Sequence, residues 1–258
     1  MMAVTVLLGI GCTDDEKKEL DEGQKTSNEN AATPPEGVEA VDLGLGVKWA
    51  SFNVGATKPE EYGDYFAWGE TGPYYEAGYA QDIQQAHWKD GKTSGYTWTN
   101  YKFRTSGDSD SNVKFSKYNT RSSFGPIDNN TTLDLEDDVA HVKWGGSWRM
   151  PTEADWDDLQ NKCIWKWYDS DNTEFNGVAG YKVTSNIEGY TDRSIFLPAA
   201  GYRDDTSLYP VGSYGIYWSS SLNTDYSDAA CGILFGSSNV VAYYDRRRCG
   251  LSVRPVCP

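Results

Sequence analysis

The densest run of interaction chemistry in this chain is Tyr243-Tyr244-Asp245-Arg246-Arg247-Arg248-Cys249. Tyrosine and arginine are the usual anchors of interfaces, because each joins a large contact surface to a polar end. Asp225, Tyr226, Asp228, Ala229, Gly232, Leu234, Asn239, Val241 and Ala242 precede the run and obey no packing period. With Tyr243, Tyr244, Asp245, Arg246, Arg248 and Cys249 they form the candidate ligand-binding set. Arg246-Arg247-Arg248 is the one basic cluster of an acidic chain. It suits either an anionic ligand or pairing with nearby aspartates.

Catalytic chemistry is harder to assemble. His141 lies close to Asp137 and Asp138, but no nucleophile can be placed against it, and a histidine on a short amphipathic helix is commonly a surface or half-buried residue. The chain has two histidines, His87 and His141, and no CxxC spacing, so no zinc site is expected. Asp108-Ser109-Asp110-Ser111-Asn112 and Asp169-Ser170-Asp171 offer alternating oxygens. The first lacks the glycine and distal glutamate of an EF-hand loop. Calcium there is the one cofactor left open; otherwise none is expected. With 38 acidic residues, a catalytic carboxylate pair cannot be singled out. A binding role, not an enzymatic one, is the expectation.

The elements that must hold these residues are short. Val41 to Ala50 reads as strand, glycine turn, strand. Residues 63 to 80 read as an ordered aromatic loop and 104 to 133 as a long polar surface excursion. Asp134 to Lys143 has helical character. Pro151 to Cys163 is the clearest helix, with acids in its first turn and Trp156, Leu159 and Cys163 along one face. Beyond it the chain alternates through 181–183, 195–197, 215–218, 233–235, 240–244 and 251–256. One or two helices followed by short strands indicate an α+β class. Trp49, Trp68, Trp144, Trp148 and Trp218 are expected in the core, with Arg149 and Arg254 each beside an acid.

Ten Trp and eighteen Tyr among 258 residues point to a core built on rings. The net charge of −15 argues against nucleic acid as a partner, since phosphate recognition needs a basic surface. Val4 to Ile10 is apolar but too short to span a bilayer. Leu7-Leu8-Gly9-Ile10-Gly11-Cys12 resembles a bacterial lipobox, although no basic residues precede it. Residues 1–12 are read as a lipoprotein signal with Cys12 as the lipidated residue, 13–37 as a disordered acidic tether, and 38–258 as one domain. Thr13-Asp14-Asp15-Glu16 resembles an export signal to the outer face of the outer membrane. Cys163, Cys231, Cys249 and Cys257 then remain, and an oxidising compartment would permit any of three disulfide pairings.

Several blocks follow one another in order: Val41-Asp42-Leu43-Gly44-Leu45, Asn53-Val54-Gly55-Ala56, Gly63 to Glu70, Trp144 to Thr152, Leu197 to Arg203, Tyr217 to Ser221, and Ser252 to Val256. In these the chain resembles the Fibrobacter succinogenes major paralogous domain of Bacteroidetes lipoproteins over roughly residues 40 to 257. The resemblance implies a C-type-lectin-like fold related to that of formylglycine-generating enzyme, with short antiparallel strands, one or two helices and irregular C-terminal loops. It also marks Ala230, Ile233, Phe235, Val240, Arg247 and Gly250 as scaffold. Copper chemistry of the formylglycine type would need a close cysteine pair, which Cys231 and Cys249, eighteen positions apart, do not supply. The sugar-binding triplets of calcium-dependent lectins are absent.

The last forty residues carry one further signal. Lys, Glu, Gln, Trp and Met occupy 46 of the first 218 positions and none from Ser219 to Pro258. Under uniform composition this gap has a probability on the order of 1 in 10,000. None of the five can be encoded by a codon ending in a pyrimidine. Randomised asparagine codons would leave that signature, and here the chain resembles the variable proteins of diversity-generating retroelements. The expected protein is therefore an adhesin-like, surface-exposed outer-membrane lipoprotein. Its C-terminal surface would bind an extracellular protein or glycan, and a carbohydrate-binding module for nutrient capture is the alternative.

Overall fold

Pro151 and Thr152 set the one long helix. Thr152 accepts from the Asp155 amide while the Asp155 carboxylate takes the Thr152 N–H, so both free ends of the first turn are satisfied. The computed structural model describes residues 32–72, 97–205 and 207–258. Cys12, the lipobox, His87, residues 73–80 of the aromatic loop and residues 13–31 of the expected tether lie outside the described residues.

Along the described chain run β1 (Ala40–Val41), β2 (Lys48–Ala50), β3 (Arg104–Ser106), β4 (Lys114–Phe115), α1 (Val139–Trp144), α2 (Glu153–Lys162), β5 (Cys163–Tyr168), β6 (Gly180–Ser185) and β7 (Ser194–Pro198). They are followed by β8 (Arg203–Asp204), β9 (Ser207–Leu208), β10 (Tyr214–Leu222), β11 (Ala229–Gly236), β12 (Asn239–Arg246) and β13 (Val256–Cys257). The strands pair antiparallel in small open sheets, among them β1-β2-β13, β5-β6-β7 and β10-β11-β12. The class is α+β. Cys163 does not end the helix face as its spacing suggested: it opens β5, whose alternation of half-buried and exposed residues was hidden because exposed Ile164 is apolar like the tryptophans.

The interior is built on rings, and all five expected tryptophans are buried. One cluster joins Trp49, Trp156, Leu159, Val183, Leu197, Tyr217, Ile233 and Phe235, so it packs α2 against β6, β7, β10 and β11. The other gathers Phe52, Trp68, Tyr101, Phe103, Phe115, Tyr118, Trp144 and Trp218. Trp68 donates its indole N–H to the Ser219 carbonyl, and Trp218 donates its own to the Phe66 carbonyl, 2.9 and 2.8 Å away. Two loops far apart in sequence are thereby clasped to each other.

Residues 104–133 run largely over the surface, as expected, but Val113, Phe115, Tyr118, Asn119 and Leu133 are buried and tie the segment to the core. Asp128 takes the Tyr118 and Asn119 amides and so closes the turn that tucks those two inward. Arg149 meets Asp155 at 2.8 Å, as expected. Arg254 meets no acid. It is fully buried and donates to Asn53 Oδ1 and to the Ala50 and Phe196 carbonyls, and burial lowers its pKa to about 10.

The cap of α2 has a pH signature. Burial works to raise the Asp155 carboxyl, but Arg149 and Thr152 outweigh it and hold the group below the usual carboxylate range. A depressed folded pKa stabilises the fold above the unfolded value of about 3.9 and is lost as pH falls through the folded value. Asp155→Asn should therefore lower stability to urea at pH 7, and the gap to the parent chain should close towards pH 2. A gap independent of pH would refute this role.

Candidate functional site

The candidate ligand-binding residues converge on the β10-β11-β12 sheet and its open side, but they do not all face outward. Ala229, Gly232 and Cys249 are buried and present no surface to a ligand. Gly232 answers to a local constraint, because a Cβ there would lie 2.2 Å from the Tyr217 carbonyl oxygen on β10. Leu234 is half-buried and, like Tyr214 and Tyr243, packs against the second ring cluster. Asn239, Val241, Ala242, Tyr244, Arg246, Asp225 and Tyr226 are exposed, and Asp228, Tyr243, Asp245 and Arg248 are half-exposed.

Pairing fixes which side chains share a face. Leu234 lies opposite Val241, Gly232 opposite Tyr243 and Ala230 opposite Asp245. Cys231 lies opposite Tyr244 and Ile233 opposite Ala242, on the other face. Tyr226, 54% exposed, stacks on Tyr244, 51% exposed, with centroids 5.8 Å apart and planes 16° apart. Tyr244 and Tyr243 stand 6.3 Å apart at 19°, although they leave opposite faces of β12. Tyr243 is also close enough to Tyr214 to feel its phenol, and burial drives its own pKa up to about 12. From Tyr214 the series continues to Tyr202 at 6.2 Å, and Tyr202 stacks on Tyr209 at 4.4 Å and 8°. Tyr226, Tyr244 and Tyr243 thus form one ring series at β12, and Tyr214 at the start of β10 forms a second with Tyr202 and Tyr209.

Tyr202, Tyr209 and Tyr214 were missed in the sequence because they fall among blocks that read as scaffold. Three tyrosines within thirteen residues, next to Pro210 and Gly212, were the available signal.

The three consecutive arginines go to three different places. Arg246 pairs with Asp110, and Arg248 pairs with Asp204 while its guanidinium lies 5.9 Å over Trp98. Arg247, fully buried, sits within 6.0 Å of five ring centroids: Trp68, Tyr101, Phe103, Phe115 and Tyr118. It donates to the Tyr101 hydroxyl and to the Tyr118, Ser227 and Lys117 carbonyls. The cluster resolves into aspartate pairing and a structural core, which leaves no shared anion site among its three side chains.

The remaining chemical candidates are already engaged. Asp138 caps α1, taking the Ala140, His141 and Met150 amides, so it does not orient His141, whose Nδ1 lies 3.3 Å from the Trp148 carbonyl. Asp134, Glu136 and Asp137 converge closely enough to hold a cation, but the Lys117 ammonium already bonds all three and Lys102 bonds Asp137. In the 108–112 loop, Asp108 accepts from Asn112, Asn112 takes two loop amides, and Asp110 takes the Trp98 indole and Arg246. The loop closes on its own oxygens. Asp169 likewise accepts the Trp167 indole.

Cys163, Cys231, Cys249 and Cys257 are all free thiols, which corrects the disulfide expectation. Cys231 lies near Glu153 at the start of α2, whereas Cys249 neighbours Asp245, Asp204 and Arg248. These separate surroundings leave the two without a common site. Burial raises both, Cys231 to about 12, so neither is an activated thiolate.

The model of the family described as a domain of unknown function, DUF8237, matches residues 156–256, from within α2 to β13. No curated protein and no solved structure matches the chain.

Two outcomes follow from this geometry. Arg247→Ala leaves two buried carbonyls and one half-buried carbonyl without their donor and empties the ring box, so it should cost on the order of 3 kcal/mol or more in urea unfolding. A loss under about 1 kcal/mol would show that the box is not a structural centre. Alkylation of the denatured, unreduced chain should modify all four of these cysteines; a protected pair would instead reveal a disulfide.

Proposed function

We propose that this chain is a surface-exposed bacterial lipoprotein, anchored in the outer membrane through Cys12, which binds an extracellular protein or glycan in the manner of an adhesin. Its domain is read as C-type-lectin-like. The observation that carries the proposal is the series Tyr226, Tyr244 and Tyr243 at β12, mounted on a base of buried rings and backbone-satisfied arginines. Rigid aromatic side chains with hydroxyl ends give contact area at small entropic cost, which is why binding surfaces favour them. The proposed role is binding and not catalysis, because the histidine, carboxylates and thiols that could react are committed to caps, ion pairs or burial.

The sequence gap after Ser219 supports diversification of the same surface. β12 joins its neighbour through backbone hydrogen bonds, so its exposed side chains can change without breaking the ladder. A carbohydrate-binding module is the second reading, favoured by exposed Tyr209, which is held by stacking on Tyr202 and leaves its outer ring face for a sugar.

A combined glycan and host-protein array tests both. Tyr226, Tyr243 and Tyr244 changed together to Ser should abolish a protein hit at least about tenfold while near-ultraviolet circular dichroism stays native. Loss of a glycan hit with Tyr202→Ser and Tyr209→Ser alone would favour the carbohydrate reading. A hit untouched by either set would sink the tyrosine surface as the site.

A further inference from the structure

The turn at Ser237-Ser238 determines which way β12 presents its backbone. Gly236 and Asn239 close a two-residue turn and so form a hydrogen-bonded pair. From that pair the ladder alternates. Asn239, Val241, Tyr243 and Asp245 direct their N–H and C=O groups at β11, and Val240, Ala242, Tyr244 and Arg246 direct theirs away. β12 is the outer strand of its sheet, with β11 as its neighbour.

The two ends of this outer row are occupied. The Val240 carbonyl accepts from Gln160 Nε2 at 2.9 Å, the Arg246 carbonyl accepts from the Cys249 N–H at 2.8 Å, and the Arg246 N–H donates to the Asp245 carboxylate. In the middle, no hydrogen bond from the described residues reaches the outward N–H and C=O of Ala242 or Tyr244. Natural edge strands are usually blunted by charge, proline or a bulge. Here the centre of the edge reads Val240-Val241-Ala242-Tyr243-Tyr244, with no charge, no proline and an unbroken register.

We infer that β12 is a docking edge for an extended segment of a partner protein, which adds a strand by bonding to Ala242 and Tyr244. This rests on the reading of the β12 surface as the binding site and specifies how that surface is used. Ala242 leaves a gap between Val240 and Tyr244 on one face, which a bulky apolar side chain of the incoming strand fills. Tyr243 and Val241 frame the corresponding position on the other face. Near the end of the strand Arg246 stands beside half-exposed Asp228 and Asp245, but it pairs with Asp110, so the acids there outnumber it and favour Lys or Arg in the incoming segment. The same charge selects the occupant: a second copy of the chain would bring two bodies of net charge −15 together, whereas a basic segment would be attracted.

The test is selection of binders to the full chain from a random display library of peptides of about ten residues, longer than one typical strand. Selected peptides should alternate apolar residues and carry Lys or Arg. Their affinity should fall at least about tenfold when alternate amides are N-methylated, and equally on Ala242→Pro. That substitution removes an outward N–H and leaves the β11 ladder intact. Where Ala242→Pro disturbs the fold, amide exchange of the unchanged chain decides: slowed exchange at Ala242 and Tyr244 with peptide supports the docking edge. Unchanged exchange, the absence of binders, or binders indifferent to Ala242→Pro would overturn it. Binders or glycans lost with the Tyr226, Tyr243 and Tyr244 changes but kept with Ala242→Pro would overturn strand addition and leave the tyrosine surface standing. Self-association lost with Ala242→Pro would assign the edge to a second copy.

Discussion

A guanidinium taken out of water with no ion pair is costly unless its nitrogens are hydrogen-bonded. Arg247 engages all three nitrogens, with the Tyr101 hydroxyl and three backbone carbonyls, inside a box of five rings. The acceptors come from separate stretches of the chain: Lys117 and Tyr118 after β4, Ser227 before β11, and Tyr101 before β3. Satisfying one side chain therefore holds three segments in position at once. Because Arg247 directly follows β12, the far end of that strand is pinned to the ring cluster. Arg254 repeats the arrangement with Asn53, Ala50 and Phe196, and the crossed indole bonds of Trp68 and Trp218 close the space between them.

That anchoring separates two kinds of residue within the same few positions. Arg246 and Arg248 flank the buried arginine, yet both turn out to surface aspartates. Along β12 the backbone is committed to β11 on one side only, and the side chains project to two faces without carrying the ladder. A surface built this way tolerates change in its side chains, because strand geometry is maintained by groups that every residue except proline possesses.

Much of the scaffold was legible. The helix at 153–162 was marked by Pro151, Thr152 and the acids that follow, since capping and dipole effects act within one turn. The antiparallel pairing of β1 with β2, the strands β6, β7, β10, β11 and β12 and the burial of the tryptophans also follow from local pattern. β5 was obscured because exposed Ile164 is apolar like the half-buried Trp165 and Trp167, so the alternation in burial is not matched by a clean alternation in residue type. The burial of Val113, Phe115 and Tyr118 was masked by the polar residues around them. The two tyrosine series draw on residues from 202 to 244, which no spacing rule connects.

The sequence by itself determined an α+β class, a ring-built core, the position of the α2 helix and the Tyr- and Arg-rich segment at 243–248. These depend on hydrophobic period, capping and composition, which act over a few neighbouring residues. Only the tertiary structure decided that Ala229, Gly232 and Cys249 face inward, that four cysteines stay unpaired, and that three consecutive arginines diverge. Each of those outcomes depends on what approaches from a distant part of the chain: the Tyr217 carbonyl behind Gly232, the rings around Arg247, Asp110 and Asp204 beside its neighbours. Contacts of that range leave no trace in local spacing.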